Sequence, residues 1–131
     1  MLVLDASIVI ELLVNGRRAS SIRQRLEHST ESWHAPQLID VEVVQVLRRY
    51  VRRGWIVTEH GETAIHALRD FDMVRHEHRW LLSRVWQHRN NLTAYDAVYL
   101  ALAEALPARL MTADRAFEAV ASNQVTVELI E

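Results

Sequence analysis

The stretch from Leu92 to Asp114, LTAYDAVYLALAEALPARLMTAD, reads as a helix followed by a strand. Thr93 is a good N-cap, and Asp96 stands three residues on, close to a capping-box arrangement. At about 100° per residue, Asp96 shares a helical face with Tyr99, Leu100, Ala103 and Leu106. That face is apolar and looks into the protein, where a carboxylate is costly unless something positive meets it. The helix is expected over Ala94–Leu106 and the strand over Arg109–Thr112, with Asp114 just past the strand's end.

The same alternation runs outward along the chain. Leu2-Val3-Leu4-Asp5 is a short apolar run ending in an acid, which suits a buried strand. A helix from Ala6 follows and stops near Asn15-Gly16. A second helix covers Ala19 to His28, and Trp33-His34-Ala35 before Pro36 reads as a strand, because a residue preceding proline is pushed toward extended backbone. Pro36 suits the first turn of a long helix reaching Arg53 and stopped by Gly54. Further on, the pattern predicts a helix from Thr58 to Asp70, a strand at Met73–His76, and a helix from Glu77 to His88 with Leu81, Leu82, Val85 and Trp86 at core spacing. A short helix Arg115–Ala121 and a last strand Val125–Ile130 complete it. Strands alternating with helices predict an α/β fold, a small and mostly parallel central sheet flanked by helices.

Composition bounds the rest. The 131 residues suit a single domain, 1–131, half of it hydrophobic. With no cysteine, disulfides and thiolate metal sites are excluded. Asp5 and Glu11 interrupt the first apolar run and no basic residue precedes it, so no signal peptide is expected. No window approaches the ~18 apolar residues of a membrane span, so the expected setting is cytoplasmic. Net charge is −2, and every one of the 15 basic residues is arginine. That usage fits bidentate phosphate contacts and fits a GC-rich genome equally well.

Asp5 and Asp114 each follow an expected strand, and the functional crevice of an open α/β sheet lies outside the carboxyl ends of its strands. Asp96 begins a helix that leads toward the Asp114 strand and can join them. Several carboxylates in one crevice repel, and a hard divalent cation relieves the repulsion. Mg²⁺ or Mn²⁺ prefers such oxygen ligands, whereas zinc is disfavoured without Cys or an HExxH pattern.

These residues resemble a family. Asp5-Ala6-Ser7 after a strand, Pro36 followed by Val41-Glu42-Val43, the block Tyr95-Asp96-Ala97-Val98-Tyr99-Leu100-Ala101-Leu102-Ala103, and Thr112-Ala113-Asp114 follow the order of a PIN domain, in particular the VapC toxins of bacterial type II toxin–antitoxin pairs. The resemblance covers the chain from its first strand to its last. It implies a PIN-like fold and a Mg²⁺-dependent endoribonuclease, with Mn²⁺ able to substitute, that hydrolyses RNA phosphodiester bonds and is held inactive by a VapB-type antitoxin. Asp5, Glu42, Asp96 and Asp114 match the family's acidic quartet, catalytic and metal-binding. Ser7 and Thr112 match its hydroxyl positions, which orient ligands or water. A homodimer is also implied, for which an apolar surface on the N-terminal helices is available. The other reading is a catalytically inactive PIN-fold binding module that acts through its antitoxin complex.

Several residues stay open at this level. On a helical wheel Glu42 falls near Gln45 and Arg49 on the polar side, so the resemblance selects it and periodicity does not. Asp40 falls among apolar positions, as a first-turn acid favoured by the helix dipole or as a fifth site carboxylate. Arg48, Arg49, Arg52 and Arg53 form either a solvated helix end or a phosphate-contacting patch. His76 and His78 sit on one side of a strand, with a metal role the lesser reading. Trp33, Trp55, Trp80 and Trp86 read as core or interface area. A response-regulator receiver is excluded because its functional lysine cannot exist here, and a haloacid-dehalogenase-type phosphatase because Ser7 stands where it needs an acid.

Overall fold

Leu2, Val3 and Leu4 are completely buried and form β1 (Leu2–Leu4), the centre of the molecule, with a parallel neighbour on each side. A strand buried on both faces has no need of alternation, which is why three consecutive apolar residues suffice. The computed structural model describes residues 1–120 and 124–131. Among them five strands form one all-parallel sheet in the order β3-β2-β1-β4-β5, with β2 at Trp33–Pro36, β3 at Val74–His76, β4 at Arg109–Thr112 and β5 at Val127–Leu129. The α/β fold expected from the alternation is the observed one.

The helices are α1 (Ala6–Val14), α2 (Ala19–Glu27), α3 (Ile39–Arg52), α4 (Thr58–Arg69), α5 (Leu82–Gln87) and α6 (Ala94–Ala105). Asn15 ends α1 in the left-handed conformation at φ 53°, and Gly54 takes φ 72° beyond α3, so both expected stops operate. α6 is more deeply set than a one-faced helix: Ala97 through Ala103 are all buried. It packs on β1, β2 and β4, while α1 packs against α2, α3 and α4. A helix apolar all round belongs in the interior. Among the described residues, no helix is long and apolar enough to cross a membrane.

Several expectations are corrected. Pro36 ends β2 instead of opening a helix, and α3 starts at Ile39. The β1–β2 pairing stops at Val3↔His34, so the N–H that Pro36 lacks is not needed, and Gln37 N–H continues the ladder to His76 O at 2.8 Å. The helix expected from Glu77 to His88 is a 3₁₀ turn, Arg79–Leu81, followed by α5, in which Leu81 and Val85 are buried but Leu82 and Trp86 are exposed. Of the tryptophans, Trp33 packs on Phe71 with ring centroids 5.6 Å apart, whereas Trp55, Trp80 and Trp86 stand in solvent. The last strand is shorter than Val125–Ile130, and the segment after Asp114 is a 3₁₀ turn, Arg115–Ala119. The expected end of that helix at Ala121 lies outside the described residues.

Leu110, wholly buried on β4 between β1 and β5, gives a measure of this core. Leu110→Ala is expected to lower unfolding free energy by about 2–5 kcal/mol in urea titrations, the range for a buried leucine whose cavity cannot collapse. A loss below about 1 kcal/mol would mean that the sheet centre repacks.

Candidate functional site

The strand order reverses direction between β1 and β4, since the chain adds strands outward on one side of β1 and then returns to the other. At such a reversal the loops leaving the two strands diverge, and open α/β sheets place their binding crevices at those carboxyl ends. Asp5 follows β1 and Asp114 follows β4, so sheet topology carries both acids there.

Asp5 occupies the N-cap position of α1 with extended backbone, yet its side chain caps nothing. Its Oδ2 accepts from Ser7 Oγ at 2.6 Å and from Thr112 Oγ1 at 2.9 Å. Those hydroxyls are themselves held: Ala113 N–H donates to Ser7 Oγ at 2.9 Å, and Asp114 N–H to Thr112 Oγ1 at 2.9 Å. The start of α1 and the end of β4 are thus sewn together around one carboxylate. Asp5 is 5% exposed, and burial pushes its pKa up against the two hydroxyls that favour the ionised form, with the Asp114 charge raising it further.

Asp96 enters from α6. Its backbone N–H donates to Thr93 Oγ1 at 3.2 Å, which makes the expected N-cap real. Burial, then the charges of Asp5 and Asp114, push its carboxyl up to about 6. Glu42 enters from α3, one turn after buried Ile39 and beside buried Val43, so it borders the core-facing stripe. Its Oε1 accepts from Tyr99 Oη at 2.8 Å. Burial raises the Glu42 carboxyl to about 7; the Tyr99 hydrogen bond works against this, and the charges of Asp5 and Asp96 add to it. Asp114 is exposed and also caps the following turn, its Oδ1 accepting from Ala116 N–H at 2.9 Å.

The structure therefore brings Asp5, Glu42, Asp96 and Asp114 into one mutually repelling group, from four separate elements. They face one another at Coulomb range rather than ligand range: among the described residues, no three Asp, Glu or His side chains stand close enough to clasp an ion as they are. Asp40 is elsewhere, ion-paired with Arg75 Nε at 2.8 Å, and Arg75 also donates to the Leu68 and Phe71 carbonyls. His76 Nε2 lies 2.8 Å from His34 Nδ1, so its partner is a neighbouring strand's imidazole and not His78. Arg48, Arg49, Arg52 and Arg53 are all exposed at the end of α3.

One participant escaped the sequence reading. Tyr99 was legible only as an apolar-face residue one turn past Asp96, yet its hydroxyl is the group that meets Glu42. A phenol among the otherwise aliphatic buried positions of that helix was the available signal.

The PIN domain family profile matches residues 2–123. Ribonuclease VapC9 of Mycobacterium tuberculosis is 40% identical over 114 residues, 87% of this chain and 86% of that protein. Ribonuclease VapC1 of the same organism is 36% identical over 129 residues, 98% of this chain and 96% of that protein. Two solved structures share the fold: a toxin–antitoxin complex from Klebsiella pneumoniae (TM-score 0.68, 20% identity, 96% of each chain), and VapBC2 from Rickettsia felis bound to a fragment of promoter DNA (TM-score 0.69, 12% identity, 99% of this chain and 98% of that one).

Proposed function

This chain belongs to the PIN-domain family, alongside relatives named VapC ribonucleases, and from that premise we propose that it is a Mg²⁺-dependent endoribonuclease, the toxin of a type II toxin–antitoxin pair. The observation that carries the reading is the group Asp5, Glu42, Asp96 and Asp114, carboxylates from four elements, in which burial and the neighbouring acids raise the pKa of Asp5, Glu42 and Asp96. Acids gathered this way have an unmet need for positive charge, and a donor set made only of carboxylate oxygens fits a hard divalent cation. Asp5, Glu42, Asp96 and Asp114 would hold it. Mg²⁺, or Mn²⁺ in its place, would supply polarisation of a phosphoryl oxygen and a lowered pKa for the water that attacks the phosphodiester.

The chain's own residues supply the positioning. Ser7 and Thr112 fix the Asp5 carboxylate by donating to one of its oxygens, and backbone N–H groups of Ala113 and Asp114 lock those hydroxyls in turn. The N-terminus of α6, the positive end of its dipole, carries Asp96 into the same group of acids, a polarity that suits an anionic phosphate.

An antitoxin partner is proposed on the likeness to VapBC complexes, and RNA as substrate on the naming of the relatives. A homodimer is proposed as well; the exposed apolar side chains that could serve it lie less on α1 and α2 than on Leu82, Trp86 and Tyr95 around α5 and the start of α6.

The test is to purify the chain without partner and incubate it with structured RNA in Mg²⁺ and in EDTA. Cleavage in Mg²⁺ that EDTA abolishes is expected. No cleavage in Mg²⁺, with the protein folded, would favour a binding module acting through its antitoxin complex. Glu42 and Asp40 give a second contrast on one helix. Glu42→Gln is expected to lower the cleavage rate at least about tenfold, while Asp40→Asn, whose acid pairs with Arg75, leaves it within about threefold. Equal effects of the two substitutions would show that the wrong acid of α3 had been assigned.

A further inference from the structure

We propose that Tyr99 is a positioning residue of the carboxylate crevice, one that ties α6 to α3 and presents Glu42 to a divalent cation through a single free oxygen, Oε2. The inference rests on the cation-site reading above and adds to it a residue that acts through another.

Tyr99 is among the largest fully buried side chains of the protein, on a helix whose other buried positions, Ala97 through Ala103, are all aliphatic. A phenolic hydroxyl in such surroundings is costly without a partner. Among the described residues, its one hydrogen bond is the 2.8 Å donation to Glu42 Oε1. Phenylalanine would fill the same space with no polar atom to satisfy, so the hydroxyl is there for Glu42 or is a burden.

Glu42 has the greater need of such a device. Two of the other three acids are held by side-chain hydrogen bonds, Asp5 by the Ser7 and Thr112 hydroxyls and Asp114 by Ala116 N–H, and Asp96 has the shorter side chain of an aspartate in the first turn of α6. Glu42 is four residues into α3, carries the longest of the four side chains, and is half-buried with water within reach. Left alone it can swing between crevice and solvent among several rotamers, and ordering it on cation binding would cost side-chain entropy. The Tyr99 hydroxyl selects the inward arrangement in advance. Tyr99 also lies three residues from Asp96, so α6 supplies one acid and steers the other.

The test is a double-mutant cycle read as Mn²⁺ affinity, followed by the EPR signal of free Mn²⁺ on the purified full chain without RNA. Tyr99→Phe is expected to weaken Mn²⁺ binding about 10- to 100-fold, the usual range for loss of a group that orients a ligand. Glu42→Gln should weaken it at least as much, and the double variant no further than Glu42→Gln alone, because Tyr99 acts only through Glu42. A purely structural Tyr99 would give additive losses, and additivity overturns the proposal. Wild-type Mn²⁺ affinity in Tyr99→Phe, with Glu42→Gln weakened, overturns it too while leaving the cation site standing. No effect of Glu42→Gln, or no Mn²⁺ binding by the wild-type chain, overturns the cation reading itself and this inference with it. Tyr99→Met, which also fills the space without a hydroxyl, is the second variant should the phenylalanine protein fail to fold.

Discussion

Asp96→Asn is expected to reduce Mg²⁺-dependent RNA cleavage by at least about a hundred- to thousandfold, the scale on which preorganised charge at a reacting phosphate acts. The substitution removes charge and little else. Asparagine is nearly the same size, and the N-cap of α6 survives because Thr93 Oγ1 accepts from the backbone N–H of residue 96. Asp96 also repels Asp5, and Asp114 repels Asp96 in turn. Neutralising it relieves that strain, so in EDTA near neutral pH the variant should unfold at the same temperature as wild type or higher. Activity falls while stability holds or rises, and that pairing separates a functional acid from a structural one. Cleavage that persists unchanged in Asp96→Asn would sink the assignment, and a variant that cleaves equally in EDTA would reveal a contaminating nuclease.

The second large effect is a stability that depends on pH and on cation together. Glu42 keeps its proton up to about 7 and Asp96 up to about 6 in the folded chain, against ordinary values of 4.5 and 3.8. Between roughly pH 4 and 7 the folded state binds more protons than the unfolded one, so stability is highest at the acid end and falls as pH rises through this window. Allowing for the water that reaches these half-buried groups, the cation-free protein should lose about 2 kcal/mol between about pH 5 and pH 7.5. His34 works in the opposite sense: burial lowers its pKa, so acidification below its usual 6.5 costs stability. Comparison with Glu42→Gln removes that contribution, because His34 is common to both proteins. Mg²⁺ should stabilise the wild-type protein near pH 7.5 and much less near pH 5, where protons compete for the same oxygens. Urea unfolding in EDTA and in Mg²⁺ at the two pH values measures all of this. An EDTA stability that rises from pH 5 to 7.5 in wild type relative to Glu42→Gln, or a Mg²⁺ effect independent of pH, would contradict the carboxylate cluster.

The acids of the crevice were not equally legible in the sequence. Asp5, Asp96 and Asp114 each sit where an element begins or ends, and short apolar runs, an N-cap threonine and the alternation of strand and helix mark those boundaries. Glu42 and Asp40 lie two residues apart inside one helix, on opposite flanks of its buried stripe of Ile39, Val43 and Leu47, so a helical wheel alone does not select Glu42. The helix begins at Ile39, Pro36 having been taken by the sheet through its pairing with His76. What separates the two acids is their partners, Arg75 for Asp40 and Tyr99 for Glu42, which lie 35 and 57 residues away along the chain.

By itself, then, the sequence determined the class of fold and placed Asp5, Asp96 and Asp114 at the ends of strands and the start of a helix, because periodicity, caps and strand ends are local and each residue carries its own share of the signal. Only the tertiary structure decided the rest. It set a strand order that reverses between β1 and β4, brought Glu42 within range of Asp5 and Asp96 while pairing Asp40 with Arg75, coupled His76 to His34, and turned Tyr99 from a core aromatic into Glu42's partner. These are meetings between residues distant in the chain, and their energies arise from burial and from charges that come within range only once the sheet has formed.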